Sequence, residues 1–371
     1  MKRLLALAFL LLLFACPGQA DSMEEGLNRA LDMVDVPALE QASGQAGIGD
    51  LLLRLARGEM VWDAGTTVEL LGELALGEAK NSLSRMLGLM APALLCALAG
   101  GLRPGGSVAQ MAENACFLVL AAVLAADLRG YLREAESTVS RMAELMQVLF
   151  PMLLTLLAAV GATGGAALFK PAIAAASGTM TALARGVSLQ LALGVAVVTL
   201  LDHLSPRMRL SRLSSLLRSL SGWTLGAAFT VFIGVTAMQG LTAAAADGIG
   251  IRAAKYAVDN LVPVVGGMFA DTMDTLVGCA MLIKNALGVT GLFLLLSVAV
   301  MPLLRVLGAV LVYRLCAALL QPAVPDRVSG MIHDFSDVLM LLFIIELSVG
   351  AMFILLVAQM LAVGNLTVGL R

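Results

Sequence analysis

Long apolar blocks, broken by single charges, run through most of this chain. Residues 86–102, 109–127, 145–169 and 187–201 form the first set. Residues 223–246, 261–283, 286–304, 306–320 and 338–361 form the second. A helix needs about 20 apolar residues to cross a bilayer, so most of these blocks predict spanning helices. Residues 129–144 differ: Arg129, Arg133, Glu134, Glu136, Arg141 and Glu144 predict a polar amphipathic stretch. The expected architecture is all-α, a polytopic transmembrane helix bundle of about seven to nine membrane segments, some short or broken.

The first 80 residues have another pattern. Met1, Lys2 and Arg3 precede an apolar run over 4–15, and Gly18 and Ala20 make a small-x-small site. That order predicts a signal peptide over 1–20, cut after Ala20. Lipidation at Cys16 and an uncleaved anchor are the alternatives. Residues 21–80 mix charges such as Glu24, Asp32, Glu40, Asp50 and Arg54 with leucines at helical spacing. They predict a small extracytoplasmic region of amphipathic helices, broken near Gly44, Gly47 and Gly49, with Asp50 capping the helix that begins at Leu51. Residues 81–371 are then the multi-helix transmembrane domain.

Residues 205–222 carry the densest basic group, Arg207, Arg209, Arg212 and Arg218. Leu210, Leu213, Leu217 and Leu220 share one face, which predicts an interfacial helix, cytoplasmic by the positive-inside bias. With residue 21 outside, that side requires an odd number of crossings before residue 205. Residues 145–201 then cross three times, or they include a re-entrant hairpin covered by protein.

Composition narrows the class. Hydrophobic residues are 60% of the 371 and charged residues 13%, against roughly 45–50% and about 25% in soluble domains. A net charge of −2 gives no electrostatic footprint for nucleic acid. The five cysteines contain no CxxC pair, and His203 and His333 stand alone, so no metal spacing exists. No phosphate-binding loop is present. Gly248, Gly250 and Ala253 imitate a dinucleotide turn without the strand it requires. No catalytic constellation emerges, so no enzyme activity and no cofactor is expected.

The informative chemistry is charge inside apolar blocks. Asp271 and Asp274 share a helix face within 261–283, after Pro263, Gly266 and Gly267; Lys284 and Asn285 close that block. Glu346 sits inside the last one. A charge at the centre of a bilayer costs at least ~2.5–3.5 kcal/mol, so these groups should face the bundle interior, water or a partner. Arg305 and Arg314 interrupt the preceding blocks and can snorkel to the interface.

Residues 240–292, GLTAAAADGIGIRAAKYAVDNLVPVVGGMFADTMDTLVGCAMLIKNALGVTGL, resemble the signature region of the stage III sporulation protein AE family. ALFKPAI at 167–173, SPRMRLSRLSSLL at 205–217, YRLCAALLQPAVPDR at 313–327 and LLLRLARGEM at 51–60 add to the resemblance. It implies a multi-pass protein of the mother-cell membrane around the forespore. It also implies a complex with the other stage III A operon proteins, including a separate ATPase, and with a forespore-side partner. Within such a complex the chain would contribute to a channel or secretion-like conduit, or would scaffold the other components. The positions matching best are Asp247, Gly248, Lys255, Pro263, Gly266, Asp271, Lys284, Asn285, Gln321 and Pro322, as pathway, assembly or packing candidates.

Overall fold

The structure is a computed structural model that describes residues 34–43, 47–57, 90–98, 107–160, 178–204, 210–261 and 266–369, with a few single positions between them. The predicted signal peptide, Pro263, Arg207 and Arg209 lie outside the described residues. Seven helices carry the argument: α1 (Val36–Ser43), α2 (Ile48–Ala56), α3 (Ser107–Ala159), α4 (Leu189–Leu204), α5 (Ser211–Leu261), α6 (Gly266–Leu320) and α7 (Asp326–Gly369). A π turn, Ala184–Ser188, leads into α4. The described residues contain no strand, so the all-α expectation is met. Five helical stretches among them are long and apolar enough to cross a membrane.

The helices are longer than the blocks that predicted them. α3 has 53 residues and α6 has 55, about 80 Å each at 1.5 Å per residue. The blocks 109–127 and 145–159 and the polar stretch between them are one helix. Its buried face explains why. Leu120, Leu124, Leu128, Tyr131, Ala135, Val139, Met142, Met146, Leu149, Leu153 and Leu156 recur every three or four residues, straight through the charges. Likewise the division expected at Arg305 is no break: 286–304 and 306–320 are collinear in α6. The interfacial helix expected over 205–222 and the span after it are collinear in α5 from Ser211.

α7 is the central element, packed against α3, α4, α5 and α6. α3 and α6 run antiparallel, since Glu134 meets Arg305 and Asp127 meets Tyr313. α6 and α7 also run antiparallel, with Lys284 beside Leu361 and Arg314 beside Asp337. α1 lies on α3 and α2 on α6. The turn between α1 and α2 depends on Gly47, whose φ of +84° suits glycine. Glu40 Oε1 accepts the free amides of Gly47 at 2.7 Å and Ile48 at 3.0 Å. Thus Glu40, not Asp50, caps α2. Asp50 instead lies in its first turn and pairs with Arg54 at 2.9 Å.

Two apolar cores are stacked along the long helices. One contains Val139–Leu156 of α3, Ile283–Ala299 of α6, Val349–Met360 of α7 and the inner faces of α1 and α2. The other contains Phe117–Ala135 of α3, Leu189–Ala196 of α4, Val306–Leu320 of α6, Val324 of the turn after it and Val328–Ile345 of α7.

Close packing at two glycines joins α6 to its neighbours. A Cβ on Gly291 would sit 2.9 Å from both methyls of Leu149, and one on Gly288 would overlap the Leu361 side chain. Gly288→Val should therefore cost about 1–3 kcal/mol, read as a lower melting temperature of the detergent-solubilised chain. Gly226→Ala, with nothing within 4 Å, should leave it unchanged or slightly higher.

Candidate buried polar site

Between the two cores lies a layer of charge. On α3, Thr138 falls between Ala135 of one core and Val139 of the other, with Glu134 one turn before it; on α6, Pro302 and Arg305 fall between Ala299 and Val306. On α7 it is Glu346, between Ile345 and Val349, and before α4 it is the π turn. Glu134 accepts a hydrogen bond from Arg305 and forms an ion pair with it across α3 and α6. Glu136 pairs with Arg185 of the π turn at 3.0 Å. Thr138 donates to its own helix, to the carbonyl of Glu134.

Glu346 has no such partner among the described residues. Its residue is 0% exposed, and neither carboxyl oxygen meets a hydrogen-bond partner among them. An unpaired polar group in apolar surroundings costs several kcal/mol when charged. Glu346 sits one turn before Gly350, which meets Met142 of α3 and Ala299 of α6. Those contacts place it at the crossing of the three central helices.

Lys284 is the second buried charge, 1% exposed. Its Nζ donates to the carbonyl oxygen of Leu361 at 3.1 Å. The bare surface of Gly288, one turn along α6, lets Leu361 come this close. Asn285 Oδ1 and Gln359 Oε1 are buried and meet no hydrogen-bond partner among the described residues.

A third group ties α3, α4, α5, α6 and α7 together. Asp337 of α7 binds Arg218 at 2.8 Å and Arg314 at 3.2 Å. Tyr313 donates to Asp127 at 2.7 Å and packs against Phe335 with ring centroids 4.9 Å apart. Arg327 donates to the carbonyls of His203 at 2.6 Å and Leu204 at 2.8 Å, and to Asn114 at 3.2 Å. Its guanidinium lies 4.0 Å from the Phe117 ring centre. These bonds close the free end of α4, whose last carbonyls lack intrahelical donors. His203 Nε2 is 3.3 Å from Asp334.

The residues singled out in the sequence are thus not one site. Glu346 lies in the polar layer, whereas Lys284 and Asn285 lie toward the start of α6. Arg218 belongs to the Asp337 group, and Arg212 is exposed. Gly266 and Gly267 begin α6, and Pro322 lies in the exposed turn before α7. The side chains of Asp247, Lys255, Asp271 and Asp274 lie outside the described residues, on backbone that is helical. Sequence reasoning missed the roles of Glu134, Asp127, Arg327 and Asp337. A usable signal existed for two. Asp127 and Glu134 are seven apart on one helix, Arg305 and Tyr313 eight apart on another, so each pair shares a face. Among the described residues no cluster of metal-ligand type occurs.

Long apolar helices arranged around a buried polar layer define a helical-bundle protein of membrane type. The family profile described as Stage III sporulation protein AE matches residues 47–364. The chain belongs to that family. The Stage III sporulation protein AE of Bacillus subtilis (strain 168) is 30% identical over 265 residues, covering 71% of this chain and 66% of that relative. No solved structure matches the fold.

Substitution tests these pairings directly. Replacing Glu134 and Arg305 by Gln, singly and together, should give a coupling of about 1–2 kcal/mol in a double-mutant cycle of unfolding in detergent. Arg327→Lys should lower stability by about 2 kcal/mol, since a lysine cannot reproduce the fork of donors over Phe117; Arg327→Gln should do no better in the same assay.

Proposed function

We propose that this chain is a membrane component of a sporulation complex between mother cell and forespore, and that its helices contribute to transport or to its gating. Its partners on this reading are other stage III A operon proteins, a separate ATPase among them, and a forespore-side protein. Family membership supports the sporulation role. One structural observation supports transport over anchoring: Glu346 is fully buried at the junction of α3, α6 and α7 with no hydrogen-bond partner among the described residues. A scaffold gains nothing from that carboxyl, because an apolar residue of similar volume would stabilise the same junction. An ionisable group retained inside a bundle is the mark of a polar path or a gate.

The second reading, a non-conducting scaffold, draws on the charges exposed along α3, which a partner could pair. Glu346→Gln and Glu346→Leu separate the two. Co-purification of the complex and passage of a small reporter into the forespore are measured independently. Intact assembly with lost passage is the expected result, and the Leu variant should also melt higher than the parent chain. Loss of assembly would favour the scaffold. Normal passage in both variants would remove Glu346 from any path.

A further inference from the structure

α3 and α4 do not close against each other along their whole length. A groove of about 680 Å³ opens between them, within the ~300–1,000 Å³ usual for small-molecule sites. One end is apolar, walled by Leu128, Leu193, Val197 and Leu200; the other is lined by Arg129, Arg133, Arg185, Glu136 and Gln190. Glu136 is already taken by Arg185 at 3.0 Å. Arg129 and Arg133, one helical turn apart, have no anionic partner among the described residues. The polar end therefore carries an excess of two positive charges.

The outer surface of α3 changes character at the same height. Between Ala115 and Ala126 every exposed residue is Ala, Leu or Val. From Arg129 to Gln147 the exposed residues are Arg129, Gly130, Arg133, Glu136, Ser137, Arg141, Glu144 and Gln147. α4 and the π turn before it follow the change. Leu193, Val197 and Leu201 are exposed beside the apolar end, and Arg185 and Gln190, with Val187 between them, beside the polar end. On this face, then, hydrocarbon can cover the bundle down to Arg129 and no further. The groove crosses that boundary, running about 16 Å between the levels of Ala125 and Glu136.

We propose that this groove holds an anionic phospholipid, with an acyl chain between Leu128, Leu193 and Val197 and its phosphate against Arg129 and Arg133. The π turn supplies the third wall of the headgroup end. It sets Arg185 against Glu136, neutralising the one carboxylate that would repel a phosphate. Lipid bound this way wedges α4 against α3, at the level of the buried polar layer.

The test uses the full chain in phosphatidylcholine vesicles doped with spin-labelled phosphatidylglycerol or, separately, spin-labelled phosphatidylcholine. The motionally restricted fraction of each label is measured. Phosphatidylglycerol should be favoured by roughly fivefold for each arginine engaged, and the preference should fall with added salt. Arg129→Gln/Arg133→Gln should abolish it, while Arg212→Gln should not. Leu193→Trp, which fills the apolar end and keeps the arginines, should also reduce it; this variant decides the matter if the double variant fails to insert. Equal restriction of the two labels in the parent chain would overturn the proposal. So would a preference that survives both the arginine and the tryptophan changes, or one abolished by inorganic phosphate at matched ionic strength, which would mark a site for the free anion.

Discussion

Glu134 and Arg305 join α3 to α6 where both apolar cores end, and the alignment of the bundle depends on that pair. Once it is made, Tyr313 falls opposite Asp127 on one side and Gly291 opposite Leu149 on the other. A slip of one turn, about 5.4 Å, would part the ions, strip Asp127 of its donor and put a larger neighbour where Gly291 now stands. Each loss acts in the same way: a partly buried charge left without its partner costs more than the pair ever gained. The interaction acts less as a source of stability than as a penalty on every other register. Apolar faces of leucine and alanine would tolerate many registers, but this charge pair restricts them.

α7 shows the same logic at its first turns. Asp337 collects Arg218 and Arg314, and Arg327 closes the end of α4. Helices α4, α5 and α6 each meet this short stretch of α7 through one of these groups. Glu346 stands apart from this scheme. It is buried where no hydrogen-bond donor among the described residues reaches it.

The fold class was legible because it rests on composition and on the spacing of leucines, both local properties. Where each helix ends was not. Hydropathy treated Arg305 and residues 129–144 as interruptions, yet a backbone hydrogen-bond ladder is indifferent to charge on its outer face. The partners that make those charges tolerable lie far away: Glu134 is 171 residues from Arg305, and Arg218 is 119 from Asp337. No window along the chain sees such a distance. Glu346 was legible as a charge to be buried because it stands alone within an apolar block, whereas Lys284 read only as the close of one. Whether such a charge is satisfied was not legible, since Lys284 finds the carbonyl of Leu361 and Glu346 finds no hydrogen-bond partner among the described residues. The Glu40 cap of α2 was hidden for the same reason: its carboxylate reaches across a turn that Gly47 makes possible.

The π turn before α4, Pro302 in α6 and the polar layer fall at one height. π turns and prolines are where helices bend most readily. Beyond that height α6 runs some 36 residues back to its start, about 54 Å of stiff rod. A rod so mounted is a lever. A bend of about 5° at the fulcrum would carry the far end of α6, with its glycine pair, through roughly 5 Å. The charges in the layer would hardly move, while the remote ends would swing by a distance comparable with one helical turn.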